Sequence, residues 1–354
     1  MVKLSTIFSL LLTLLVTRQT FSQTAPYPSS EHIMGVTFDT STRVQFGAGS
    51  DQWPMTWSSD GSMVSAWGDG YGWNGDSKTT RKRSIGVSKI NGQPPALTAI
   101  DTWGAGMGQS FGKPDALIAI GGTTYMFWVN GDSKYDDDSY SAISNDQGKS
   151  WKLGTERVFS NLPPGFRVRG ICQYGQGYSR GMDGYIYVYF AYNRHPDIYL
   201  ARVDKMRIFE ENAYEWFTHL NIDGSASWHS NHHRKAVVFH DNQAYLWHVS
   251  AFFHPVLKKV ILCKPHYDFD DNRITPFAPK STMSGLGIFE ASKPWGPWST
   301  IYYDNQFLDD YVKFNYIIPE KYIDEDGHSF WMAWSGWPEY DNVSFIEGKL
   351  KLKD

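Results

Sequence analysis

The sequence predicts an all-β chain folded as a β-propeller, and three observations carry that expectation. Composition is the first: 15 Trp, 21 Tyr and 21 Phe make 16% of the 354 residues aromatic, while 32 Gly and 17 Pro supply turns between many short strands. Second, short β-prone runs recur behind Gly, Asp or Asn turn signals, at residues 62–67, 123–129, 185–190, 244–250 and 330–334. Third, Ser144-Asn-Asp-Gln-Gly-Lys-Ser-Trp151 has the Ser-x-Asp-x-Gly-x-x-Trp form of the sialidase-type Asp box. In that motif Asp146 and Gly148 close a tight turn and Trp151 packs between sheets. It marks a blade and says nothing of chemistry. A β-sandwich with the same strand rhythm is the competing reading.

Taken in order, the chain opens on Lys3 and an apolar run from Ile7 to Val16, then Thr20-Phe21-Ser22. That pattern reads as a secretory signal peptide cleaved after Ser22, which leaves residues 23–354 as a single exported propeller domain, secreted or periplasmic. No later segment approaches the roughly 18 to 20 apolar residues of a membrane helix. The strand runs lie roughly 55 to 85 residues apart, against about 40 to 50 for common blade repeats, so long loops are expected. Residues 204–218 carry Val203, Met206, Phe209, Tyr214 and Phe217 nearby at irregular helical spacing, and a helix is expected there. Cys172 and Cys263 read as two separate buried thiols rather than a disulfide framework. A net charge of −4 argues against nucleic-acid binding by bulk electrostatics. A closed propeller leaves no long free strand edge, so a monomer is expected.

Several segments, in order along nearly the whole mature chain, resemble one family. They are Gly49-Ser-Asp-Gln-Trp-Pro-Met-Thr-Trp57, Ala66-Trp-Gly-Asp-Gly70, Phe111-Gly-Lys-Pro114, Cys172-Gln-Tyr-Gly175, Gly287-Ile-Phe289 and Pro294-Trp-Gly-Pro-Trp-Ser299. The family is that of secreted five-bladed β-propellers long labelled a domain of unknown function, some of which are endo-D-arabinanases. The resemblance implies five blades closed around an axis that carries the site. Two stretches depart from it: the histidine-rich Trp228-His-Ser-Asn-His-His-Arg-Lys235, and Asp309-Asp-Tyr-Val-Lys-Phe-Asn315. The activity is therefore free to have diverged on a kept scaffold.

In a propeller the innermost strand of each blade begins near one mouth of the axis, so polar residues at those starts converge. The expected set is Asp51 and Trp53 from blade one, Lys113 and Asp115 from blade two, and Arg167, Arg169 and Gln173 from blade three. Blade four would give His229, His232, His233 and Arg234, and blade five Tyr311, Lys313 and Asn315. The sum is cationic in a slightly acidic protein, which favours an anionic oligosaccharide or polysaccharide. Trp53, Trp73 and Trp228 are candidates for stacking on sugar faces.

Two chemistries compete. In the first, a uronate loses its C5 proton to His232 or His233, Arg167, Arg169 or Arg234 neutralises its carboxylate, and Tyr174, Tyr178 or Tyr311 protonates the group leaving C4. The enzyme is then a lyase or an oligosaccharide dehydratase, with ulvan as a candidate substrate. The second is glycoside hydrolysis by paired carboxylates from Asp51, Asp69 and Asp115. A non-catalytic glycan-binding propeller is the third reading. No cofactor or metal is expected: His229 and His233 lack a clear third zinc ligand, and Asp132 with Asp136–Asp138 lacks a spaced calcium loop. Arg81-Lys-Arg83 reads as an exposed turn, and Asn342-Val-Ser344 matches a glycosylation acceptor.

Overall fold

Strands buried on both faces read as near-continuous apolar runs, and the runs at 62–67, 123–129, 185–190 and 330–334 fall in interior strands packed between two neighbouring sheets, whereas of the run 244–250 residues 244–247 lie outside the described residues and only Ser250 belongs to a strand. A computed structural model describes residues 24–353 apart from 76–77, 79–80, 103–111, 130–137, 182, 193–194, 244–247, 267–283 and 309–310. β1 (Ile33–Phe46) comes first in the chain and joins the last blade. Blade one is β2 (Met55–Trp57), β3 (Met63–Gly70), β4 (Arg83–Gln93) and β5 (Ala96–Asp101). Blade two is β6 (Lys113–Ile120), β7 (Thr123–Val129), β8 (Ser139–Ser144) and β9 (Lys152–Arg157).

Blade three is β10 (Phe166–Gln173), β11 (Tyr185–Tyr192), β12 (Asp197–Asp204) and β13 (Glu215–Leu220). It is extended by β14 (Ala226–His229) on β13 and by β15 (Val237–His240) on β12. Blade four is β16 (Ser250–His254), β17 (Lys259–His266), β18 (Gly285–Ala291) and β19 (Ser299–Asp304). Blade five holds β20 (Phe314–Ile317), β21 (Ser329–Ser335) and β22 (Val343–Leu352), and β1 completes it by pairing antiparallel with β22, from Ile33 opposite Leu352 to Phe46 opposite Val343. The fold is a five-bladed β-propeller, closed by its own N-terminal strand.

Five apolar clusters fill the five interfaces between blades. Strand alternation feeds them: in β3, Val64 and Ala66 face blade two, while Met63 and Trp67 face blade five. In β17, Val260 and Leu262 face blade three, while Ile261 and Cys263 face blade five. Cys172 and Cys263 are free, buried and in different interfaces.

The Asp box closes as expected. The Ser144 hydroxyl donates to Asp146 Oδ1 at 2.8 Å, and Asp146 Oδ1 accepts the Ser150 amide at 2.8 Å. Gln147 and Gly148 take positive φ of 62° and 84°, and Trp151 leans on the cluster between blades one and two.

The expected helix near 204–218 is corrected. The chain makes a turn, one 3₁₀ turn at Glu211–Ala213, and then β13. Trp216 enters the interface with blade two and Phe217 the interface with blade four, so the aromatic spacing belongs to a strand's two faces. Among the described residues no helix is long and apolar enough to cross a membrane. Residues 1–23, with the expected signal peptide, lie outside the described residues, as do Asp132, Asp136 and Asp137; Asp138 pairs with Arg157 at 2.6 Å. Asn342 is fully buried and donates to the carbonyls of Trp337 and Glu339, so the acceptor-like triplet there is not open to modification in the folded chain.

Candidate active site

The five inner strands are β2, β6, β10, β16 and β20, and polar side chains from their beginnings meet at one mouth of the axis. β-Bulges aim several of them. The register of β6 slips between Pro114 and Ala116, that of β10 between Val168 and Gly170, and that of β20 between Phe314 and Ile317. The residues at those irregularities are Asp115, Arg169 and Asn315 with Tyr316; a bulge bends its strand and re-aims a side chain. Asp115, His248 and Asn315 line an axial cavity whose walls come from all five inner strands. Deeper in, a polar clasp ties blades one to three: Thr56 Oγ1 donates to Gln173 Oε1 at 2.8 Å, and Gln173 Nε2 donates to the Leu117 carbonyl at 2.9 Å.

Asp51 sits just ahead of β2, its backbone bridged to Gly68 by two 2.9 Å hydrogen bonds. The next two residues, Gln52 and Trp53, hold positive φ of 76° and 56°, a costly conformation for non-glycine residues. Blade five clamps that turn: Ser335 Oγ accepts the Gln52 amide at 3.2 Å, and Asn315 Nδ2 donates to the Gln52 carbonyl at 3.2 Å. Burial pushes the Asp51 carboxyl up to about 7, against the pull of Lys113 and with the help of Asp341 and Asp69. A Cβ on Gly68 would stand 2.6 Å from Asp51 Oδ1 and 3.1 Å from Lys113 Cδ, so only glycine lets the carboxyl and the lysine stem lie together there. Lys113 pairs with Asp69, whose side chain is 48% exposed at the rim.

Asp115 is buried in the opposite electrostatic setting. Burial alone would raise its pKa, but Arg167, His248 and Arg169 outweigh it and hold the carboxyl below the ordinary carboxylate range. Arg167 Nε lies 3.3 Å from Oδ2, and His248 Nε2 lies 3.5 Å from Oδ1. His248 also faces Asn315 Oδ1 through Nδ1 at 2.7 Å and the Pro114 carbonyl through Nε2 at 3.2 Å. Arg169 and Lys313 are fully buried, and Lys313 Nζ donates to the Tyr311 carbonyl at 3.1 Å. Tyr311 itself is exposed beside the same mouth.

The remaining expected residues go elsewhere. His229 ends β14, the outer strand of blade three, and His232, His233 and Arg234 form a 3₁₀ turn beyond it. The structure therefore corrects their assignment to the axis: blade three carries the extra β14 and β15, and blade four begins only near His248. Tyr174 and Tyr178 follow the far end of β10. Tyr174 stacks on Phe253 with ring centroids 5.4 Å apart, and Tyr178 is buried with its hydroxyl on the Tyr185 carbonyl. Neither reaches the mouth that holds Asp51.

Trp53 and Trp73 are core residues: the Trp53 indole donates to the Ser50 carbonyl at 2.9 Å, and Trp73 stacks on Phe46. Trp228 packs edge-on to Trp295 on the outside of blade three. His248 and Gly68 are the site residues that sequence reasoning missed, although the run 244–250 already carried the histidine. Among the described residues no cluster of His, Cys, Asp and Glu is disposed to hold a metal ion.

No protein-family model and no curated relative matches the chain. Solved structures do. One is a protein of unknown function from Dyadobacter fermentans, 11% identical, with a TM-score of 0.52 over 90% of this chain and 100% of that one. An endo-arabinase from Bacteroides thetaiotaomicron is 11% identical, with a TM-score of 0.51 over 88% and 96% of the two chains. The catalytic domain of a GH62 alpha-L-arabinofuranosidase from Coprinopsis cinerea is 8% identical, with a TM-score of 0.50 over 91% and 96%. At such identities the likeness concerns architecture, and it agrees with the strand order above: this chain has the five-bladed propeller fold.

Proposed function

We propose that the chain cleaves glycosidic bonds in an acidic carbohydrate at the axial mouth, with Asp51 as proton donor. The observation that carries this reading is a pair of carboxyl groups at adjacent inner-strand starts held in opposite states. Asp51 is lifted to about 7 by burial, and Asp115 is kept ionised by Arg167, His248 and Arg169. Environments that drive two acids apart in this way separate an acid role from an anionic one. In the proposed step Asp51 gives its proton to the leaving oxygen as the anomeric C–O bond breaks. Water bonds the anomeric carbon and yields its proton to Asp69, which is exposed at the rim and held by Lys113. Asp115 positions its cationic neighbours. Lys113, Arg167, Arg169 and Lys313 outnumber the carboxylates Asp69 and Asp115 that pair with them at this mouth, and that excess of positive charge favours a uronate or sulfate group. The shared architecture with an endo-arabinase and an arabinofuranosidase supports carbohydrate as the substrate class.

A second reading has its own observation. His248 stands beside Arg167 at the same mouth, an imidazole base next to a guanidinium that would neutralise a uronate. Removal of the C5 proton would then expel the C4 substituent and leave a conjugated double bond.

Mass spectrometry and ultraviolet absorbance of a uronate-oligosaccharide digest separate the two. Hydrolysis adds one water across each broken bond and creates no chromophore. Elimination creates the chromophore without that water. Absence of product from both acidic and neutral oligosaccharides overturns both readings. Gly68→Ala supplies a further check: its methyl group displaces Asp51 or Lys113, and turnover is expected to fall by about 10²-fold with the thermal midpoint nearly kept. Unchanged turnover in that variant would remove Asp51 from the reacting atoms.

A further inference from the structure

The molecule has a second concave surface at the other end of the axis, where the inner strands finish. It is a groove of about 660 Å³ between blades three and four. Its aromatic lining comes from Tyr174, Tyr187, Phe253 and Trp295. Tyr174 and Phe253 lie almost parallel, 8° apart, and Trp295 stands 5.7 Å from Tyr187. Tyr174, Phe253 and Trp295 are only half-buried, so the groove presents ring surface to solvent.

The rim adds charge. Lys258 and Lys293 border the groove, both exposed, and neither forms an ion pair among the described residues. Arg180 is held by Glu320, and Asp183 is engaged by the Tyr185 amide and the Tyr187 hydroxyl. Asp183 keeps its charge, so Lys258 and Lys293 together leave the rim with a net positive charge to meet a ligand. Aromatic faces flanked by cations suit a ring with apolar C–H faces and an anionic substituent.

The chain order separates this groove from the axial mouth. Tyr174 and Arg180 follow β10, Phe253 lies at the end of β16, Lys258 sits in the β16–β17 turn, and Lys293 and Trp295 follow β18. Asp51, Lys113, Asp115 and His248 all lie at strand beginnings. A ligand in the groove therefore leaves the axial mouth open.

We infer that this groove is a second, non-catalytic binding site for an acidic oligosaccharide, its sugar rings lying on Trp295 and Tyr174 and its anionic groups on Lys258 and Lys293. The inference rests on the reading of the chain as acting on acidic carbohydrate, and its test is read by binding on the face away from Asp51.

The experiment titrates oligogalacturonate into full-length Asp51→Asn protein, so that nothing turns over, by calorimetry at low and high salt. Trp295→Ala in that background is expected to weaken the groove's affinity about ten-fold, since each 1.4 kcal/mol is one decade. Lys258→Glu with Lys293→Glu, both on exposed side chains, is expected to weaken it at least as much and to abolish its salt dependence. In protein with Asp51 intact, both changes leave turnover of short oligosaccharides unaltered. Wild-type affinity in the double-lysine variant, or equal binding of a neutral galacto-oligosaccharide or a poly-glutamate peptide, overturns the inference. Lysine-dependent binding in a chain that forms no product from any acidic oligosaccharide overturns the catalytic proposal and leaves the groove standing.

Discussion

Asp51→Asn is expected to lower kcat/KM by about 10²- to 10⁴-fold, the range of general acid catalysis, while the thermal midpoint stays the same or rises. The amide keeps the shape and removes the proton. Because the native carboxyl titrates near 7, wild-type kcat/KM should fall as pH rises through about 7, where the acid form is lost. The same group sets a stability slope. The folded chain binds this proton more tightly than the unfolded chain, so stability is greatest at low pH and falls as pH rises from the ordinary carboxylate value of 3.8 to about 7. That slope is worth on the order of 4 kcal/mol across the window, and it should disappear in the amide variant. Denaturant melts at pH 4, 5.5 and 7 measure it directly. A wild-type and a variant that lose stability in parallel across this window would show that Asp51 ionises as an ordinary surface acid.

Much of this site could be read from residues alone, because a propeller converts strand beginnings into a ring. Asp51, Lys113, Asp115, Arg167, Arg169, Lys313 and Asn315 each precede or open a β-prone run, and such runs are visible as continuous apolar stretches. The register of blades is harder to read. The segment from His229 to Arg234 occupies a plausible fourth start by spacing, yet β14 on β13 and β15 on β12 extend blade three and keep that segment on its outer side. His248 was hidden because it lies inside the β-prone run 244–250 and reads as part of a strand. Gly68 resembled a turn glycine, and its real constraint is the approach of Asp51 Oδ1 and the Lys113 stem, which no local pattern encodes. The 3.6-like spacing near 204–218 came from aromatic residues that pack on alternate sides of β13 and in the turn before it.

Asp115→Ala should be the most destabilising change at the axis, by about 3 to 5 kcal/mol, the cost of breaking a buried ion pair from one side. The carboxylate is the counter-charge of Arg167 at 3.3 Å and lies 3.5 Å from the His248 ring, with Arg169 close enough to depress its pKa, and all of these side chains are buried or nearly so. Removing it concentrates like charge in a medium that screens poorly, so the penalty exceeds that of a surface pair several-fold. Asp115→Ala combined with Arg167→Met should recover part of the loss, and the non-additivity measures the coupling. The pH response is opposite in sign to that of Asp51. A depressed carboxylate stabilises the fold above its unfolded pKa, and that stability drains away as pH falls through the folded value. Wild-type protein should therefore lose on acidification what Asp115 contributes and gain what Asp51 contributes. In Asp115→Ala only the gain remains, and the variant's deficit relative to wild type should narrow toward low pH. A deficit that stays constant with pH, or a denaturant midpoint equal to that of wild type, would mean that Asp115 holds no charge-dependent place between the arginines.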